Sequence, residues 1–186
     1  ATNDWVITCD SDNVMGADFI DWIVRTLNKT PSTWYCPSFA KPDFDYRPMA
    51  GDYDLASIGQ ILDQPMAQCA CNTGNQTVHQ GSFMEVFGSY RDKRADLMMP
   101  NRLNIPEAER STRHWRLVFD ALDSFIFNLT WLEAGGRLCI GEGLEYQHYR
   151  TSEAESNYAR SPAEKNKLGE ILFKELEAKC LAAQTQ

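Results

Sequence analysis

The sequence lacks any apolar run near the roughly 20 residues that a bilayer-spanning helix needs, so no transmembrane segment is expected. It opens without a signal-peptide pattern. Lys and Arg form no block and the net charge is −8, which removes the basic stripe that binding to a phosphate backbone requires and argues against a nucleic-acid partner. Histidine is scarce, with three residues in 186. Six cysteines (Cys9, Cys36, Cys69, Cys71, Cys139, Cys180) are too few for a disulfide-built scaffold, and several stand in apolar contexts. Reduced thiols in a cytoplasmic compartment are therefore expected. Cys69-x-Cys71 has no second pair at zinc spacing, and we read it as buried strand residues. Of three N-x-[ST] sequons, at Asn28, Asn75 and Asn128, the last falls inside a predicted helix, a poor acceptor. Neither an internal repeat nor a low-complexity linker divides the chain, so residues 1–186 are expected to form one domain.

What is there is the composition of a globular protein, 43% hydrophobic and 11% aromatic, with enough length to bury a substantial core. Near its start, the apolar run Trp5-Val6-Ile7-Thr8-Cys9 ends in Asp10-Ser11-Asp12-Asn13. Side chains two apart on an extended segment point the same way, so Asp10 and Asp12 can converge on one polar target. A hard divalent cation fits: Mg2+ or Mn2+ takes oxygen ligands, keeps several waters, and is held by one or two carboxylates together with substrate phosphates. The bland reading is a turn, which Asp and Asn both favour.

Downstream, Gly16-Ala17-Asp18 leads into a helix with Phe19, Ile23 and Leu27 at four-residue spacing. Trp34 to Phe39 reads as a short strand broken by Pro37, and the segment 41–54, rich in Pro, Asp and Tyr without a period, reads as a long loop suited to acceptor recognition. Leu55, Ile58, Ile61 and Leu62 mark a second helix; residues 67–71 read as a buried strand that ends in the small polar residues Asn72-Thr73-Gly74-Asn75. Ser82-Phe83-Met84-Glu85 has capping-box spacing, and Gly88 ends the short helix it opens. From Ser111 the pattern is helical until Gly135-Gly136, with the acid Asp123 embedded among aromatic and aliphatic residues. Residues 137–149 alternate as one or two strands around Gly141-Glu142-Gly143. Ser161-Pro162-Ala163-Glu164 caps a C-terminal helix, over 161–183, with an apolar stripe of leucines.

In this order the pieces resemble the second half of a family 2 glycosyltransferase with the nucleotide-diphospho-sugar (A-type) fold. The resemblance rests on the strand ending in Asp10-x-Asp12 and on Gly81-Ser82-Phe83-Met84-Glu85-Val86-Phe87-Gly88-Ser89-Tyr90. It rests also on the segment from Leu122-Asp123-Ser124 to Ala134-Gly135-Gly136 and on Leu144-Glu145-Tyr146-Gln147-His148-Tyr149-Arg150, and covers residues 5–150. It implies an α/β fold, a mixed sheet flanked by helices, with the N-terminal nucleotide-binding half missing or truncated, since only four residues precede Trp5. It further implies a UDP- or GDP-sugar donor, a carbohydrate or glycan acceptor and an Mn2+ or Mg2+ cofactor.

Carried over by position, Asp12 would bind the ion that bridges the donor diphosphate, and Asp10 the ribose or the metal. Asp123 would be the general base for the acceptor hydroxyl, and a carboxylate desolvated in an apolar helix start would suit that role by a raised pKa. Asn75 would line the donor or acceptor pocket. His148, as a metal ligand, and Arg150 would belong to a segment over the phosphates. The blander alternatives are a helix cap for Asp123, a satisfied strand histidine for His148 and a turn for residues 72–75. Asp10-Ser11-Asp12 also looks like the first motif of the haloacid-dehalogenase-like phosphatases, with Asp52-x-Asp54 as the nearest second acidic pair. A sugar-nucleotide-binding module without turnover is the third reading.

Overall fold

A computed structural model of the chain describes residues 4–10, 13–26, 29–88, 105–110, 112–149 and 163–185. Its centre is a pair of long parallel strands, β3 (Thr33–Lys41) and β7 (Arg137–His148), in register from Thr33 opposite Arg137 to Lys41 opposite Gln147. Parallel central strands need cover on both faces, and β3 meets that need: Trp34 and Cys36 enter the main core, while Tyr35 faces a second cluster with Phe19, Ile23 and Leu144. Shorter strands complete a mixed sheet. Strand β1 (Trp5–Ile7) pairs antiparallel with β6 (Thr77–His79), which pairs antiparallel with β3; β2 (Asn13–Met15), β4 (Phe44–Asp45) and β5 (Gly51–Tyr53) add to β7, β3 and β7 in turn. The order is β1-β6-β3-β7-β2, and the sheet is curled.

Helices flank it: α1 (Ala17–Asp21), continued by a π-helical turn over Trp22–Thr26, α2 (Ala67–Cys71), α3 (Gln80–Phe87), α4 (Glu107–Arg110), α5 (Arg113–Asp120), α6 (Asp123–Glu133) and α7 (Glu164–Ala183). Of the stripe expected on α7, Leu168, Leu172 and Leu176 are buried and Ile171 is half-buried, whereas Leu181 is 64% exposed and Cys180, which continues the four-residue spacing, is buried in its place. Strand and helix also meet through indoles: Trp34 of β3 and Trp131 of α6 stack with ring centroids 4.8 Å apart and planes 13° apart. Among the described residues no helix is long and apolar enough to cross a membrane.

Several elements differ from the sequence reading. Residues 67–71 form helix α2, with Ala67, Ala70 and Cys71 turned inward and Cys69 exposed, so the strand assigned to Cys69-x-Cys71 is a helix turn. A five-residue run of small apolar residues carries no period long enough to separate the two. The strand broken at Pro37 runs through it: the register with β7 shifts between Pro37 and Phe39, a bulge that accommodates a residue with no N–H. The segment 41–54 holds β4, a 3-10 turn at Arg47–Met49 and β5, and buries Tyr46, Met49 and Tyr53 in the core. Its aromatics are thus core residues rather than a recognition loop. The second helix is one 3-10 turn at Ile58–Ile61, β6 was not expected, and the helix of 111–135 breaks at Ala121 and Leu122 into α5 and α6. The box at Ser82 is inside α3, whose N-cap is His79, with Nδ1 accepting from the Ser82 N–H at 3.2 Å. The capping serine and proline at 161 and 162 lie outside the described residues. Asn128 is 1% exposed within α6, which agrees with its reading as a poor glycan acceptor.

Candidate functional site

Because β6 is antiparallel to both β1 and β3, and β3 is parallel to β7, strands β1, β3 and β7 all run the same way. In open α/β sheets ligands bind outside the carboxyl ends of such strands. At that end the chain leaves one edge of the sheet after β1 and rejoins the opposite edge as β2, and Asp10 lies on the crossing. Asp43 follows β3, His148 closes β7, and Asn75 precedes β6.

Asp10 is exposed and held by amides on both its main chain and its side chain. Its N–H donates to Asn75 Oδ1 at 2.9 Å, and its Oδ2 accepts from Asn75 Nδ2 at 3.2 Å and from Asn13 Nδ2 at 3.3 Å. Amide donors orient a carboxylate without cancelling its charge. Asn75 can serve as a clamp because it is itself fixed, at 2% exposure. Thr8 Oγ1 donates to the Gly74 carbonyl and accepts from the Gln76 N–H at 2.9 Å. Gln76 Nε2 donates to Asn128 Oδ1 at 2.7 Å, and Asn128 Nδ2 donates to the Cys71 carbonyl at 2.8 Å. In a low-dielectric interior such a network pins one loop conformation, since each lost partner leaves a costly orphan.

The same loop reaches helix α6. Asn72 Oδ1 accepts from the Phe125 N–H at 3.0 Å while its Nδ2 donates to the Ala121 carbonyl at 3.1 Å, so Asn72 caps α6 from a distant part of the chain. Asp123 is therefore not the cap. It occupies the first helical position, where the dipole favours a negative charge, and its Oδ1 accepts from the Ser124 N–H at 2.6 Å and from Ser124 Oγ at 3.3 Å. It is only partly buried, so the apolar enclosure expected around it is absent from one side. Between the two acids stands Gly74. A Cβ on it would lie 2.7 Å from Ser124 Oγ and 3.7 Å from Asp10 Oδ1, so only glycine lets the loop pack this closely against Ser124 with Asp10 beside it.

His148 sits opposite Asn13 in the β2–β7 ladder, where directly facing side chains share one side of the sheet. Its Nδ1 is 2.9 Å from Asp43 Oδ2, and Phe44 packs against the ring at 5.3 Å between centroids. Asn13 spends its Nδ2 on Asp10, and among the described residues no donor reaches its buried Oδ1. Asp12 and Arg150 lie outside the described residues. Among the described residues no three His, Cys, Asp or Glu side chains are grouped as a metal site.

No known protein family, curated protein or solved structure matches this chain.

Asp52 and Asp54, the second acidic pair of the phosphatase reading, are both bonded to Arg137, at 2.7 and 3.0 Å. Hydrogen bonds from Ser57, aided by Arg137, hold the Asp54 carboxyl below its ordinary range. These are the contacts of a structural ion-pair cluster. The sequence reading brought Asp10, Asn75, Asp123 and His148 forward and missed four of their partners: Asn13, Asp43, Asn72 and Ser124. Asn72 and Asn13 stand within polar clusters already singled out, and only the pairing of distant segments shows what each one binds. Asp43 follows Pro42 in a segment taken for an unstructured loop, and no local pattern marks it.

Proposed function

We propose that the chain is a metal-dependent glycosyltransferase that moves a sugar from a nucleoside-diphosphate sugar to an acceptor hydroxyl. The observation that carries this reading is the loop 72–76, whose Asn75 clamps Asp10 while its Asn72 caps the helix that opens with Asp123. One short rigid segment thereby ties the acid proposed to face the diphosphate to the acid proposed to face the acceptor.

The donor atoms suit a hard divalent cation. Asp10 offers an exposed, amide-oriented carboxylate, and Asn13 Oδ1 is a buried oxygen that no donor reaches among the described residues. Asp10, Asp12 and His148 are the residues proposed to hold Mn2+ or Mg2+. When bound, the ion would neutralise the charge that develops on the departing nucleoside diphosphate.

The remaining work falls to the chain itself. Asp123, at the first turn of α6, takes the proton of the acceptor hydroxyl as its oxygen attacks the anomeric carbon; the bond from that carbon to the diphosphate breaks, and the electron pair leaves with the phosphate oxygen. Ser124 orients the Asp123 carboxylate through its N–H and hydroxyl. Arg150 is proposed to meet the leaving phosphates as a further cation.

Calorimetry with UDP- and GDP-sugars, with and without Mn2+, tests the proposal. Binding that needs the metal and disappears in Asp12→Ala supports it. Absence of binding under both conditions, or binding indifferent to Asp12 and to metal, overturns it.

A further inference from the structure

Outside the motifs of the strand end and helix, the hydrogen-bonded contact between Asp43 Oδ2 and His148 Nδ1 at 2.9 Å has no role in the scheme above. Both side chains are largely buried, at 16% and 21% exposure. They come from the far ends of the two central strands, Asp43 just beyond β3 and His148 at the last position of β7, and Phe44 closes one side of the imidazole. Across the ladder His148 faces Asn13, whose side chain joins Asp10 and carries a buried Oδ1 that no donor reaches among the described residues. The imidazole is therefore fixed on its Nδ1 side and stands beside the segment with the oxygen donors.

We propose that Asp43 is a positioning residue: by accepting a hydrogen bond from Nδ1–H it locks His148 in the tautomer whose Nε2 carries the lone pair that a divalent cation requires. A neutral imidazole has one N–H and one lone pair, and a carboxylate on one nitrogen decides which is which. Carboxylates that orient metal-binding histidines typically change affinity by about 10- to 100-fold when removed. The inference rests on the reading of the strand end as a divalent-cation site, but it concerns a residue and a tautomer that can be observed with no ligand present.

The experiment has two arms. With three histidines in the chain, long-range proton–nitrogen correlation spectra of histidine-labelled protein give one pattern per imidazole, and His148→Gln identifies the pattern of interest. At a pH where the ring is neutral the wild type is expected to show the Nδ1–H form, and Asp43→Ala is expected to lose it. The second arm titrates Mn2+ and follows the free ion by electron paramagnetic resonance. Asp10→Ala is expected to abolish binding, and Asp43→Ala to weaken it by about 10- to 100-fold with circular dichroism unchanged. Asp43→Ser, equally unable to reach the ring, replaces the alanine variant if that one does not fold.

An unchanged tautomer in the Asp43 variant, or Mn2+ bound as tightly as by the wild type, overturns the role of Asp43 alone. A wild type that binds no Mn2+, or an Asp10→Ala protein that binds it fully, overturns the cation site and this proposal with it, whatever the tautomer.

Discussion

At the scale of single residues, the two proposed acids have separable duties. Asp123→Asn should lower turnover by about 100-fold or more, the range of general-base catalysis, while donor affinity stays within a few-fold of wild type. Steady-state kinetics beside calorimetry checks this, and an equal loss of both would assign Asp123 to donor binding. Gly74→Ala adds a Cβ 2.7 Å from Ser124 Oγ, so either Ser124 or the loop must move. We expect a loss of about 1–3 kcal/mol in urea unfolding, as for other overpacked sites, together with weaker donor binding. Asn128→Ala removes the acceptor of Gln76 Nε2 and the donor to the Cys71 carbonyl, both in the interior. Leaving them unpaired should cost about 2–3 kcal/mol. Acids at a strand end and in an apolar helix announce themselves by type and spacing, which is why Asp10 and Asp123 were legible. Their partners were not: an amide that clamps and an amide that caps look identical until distant segments pair.

At the scale of elements, helix α6 shows how a cap can be hidden. Its N-cap position is Leu122, which offers no acceptor, and the service comes from Asn72 some fifty positions earlier. Asn72→Ala should therefore destabilise the chain by about 1 kcal/mol, the usual worth of a capping side chain, and should blur the position of Asp123. Thermal unfolding measures the first and the turnover of the variant the second. Long periodic elements were readable from sequence: α7 through its leucines at four-residue spacing, and β7 through alternation around two glycines. Short ones were not. Helix α2 and the missed strand β6 are too brief to display a period, and the tyrosines of residues 41–54, with no strand-length alternation around them, gave no sign of turning inward as Tyr46 and Tyr53 do. Replacing that segment by a short turn is now expected to unfold the protein rather than to alter its specificity.

For the molecule as a whole, the buried thiols set an alkaline limit. Burial pushes Cys71 up to about 12 and Cys139 up to about 11, and drives Cys36 higher still, against an ordinary thiol value of 9.0. These groups ionise in the unfolded chain before they ionise in the folded one. Stability is thus fully present below pH about 9 and should decline as pH rises from there toward about 12. Denaturant midpoints measured across that range check the sign; a midpoint that held constant would mean the thiols open to solvent without unfolding. The class of fold, a mixed sheet between helices, was legible from the order of strands and helices. The curl of the sheet and the antiparallel course of β6 were not, since both depend on where each short strand pairs.

The stacked pair Trp34 and Trp131 has one more use. Two indoles so near exchange excitation, and neither ring alone would produce their coupled transitions. Because one chromophore rides on the central sheet and the other on the helix that begins at Asp123, any excitonic signal of the pair, set by the angle between their transition moments, is an internal gauge of whether those two parts remain seated together.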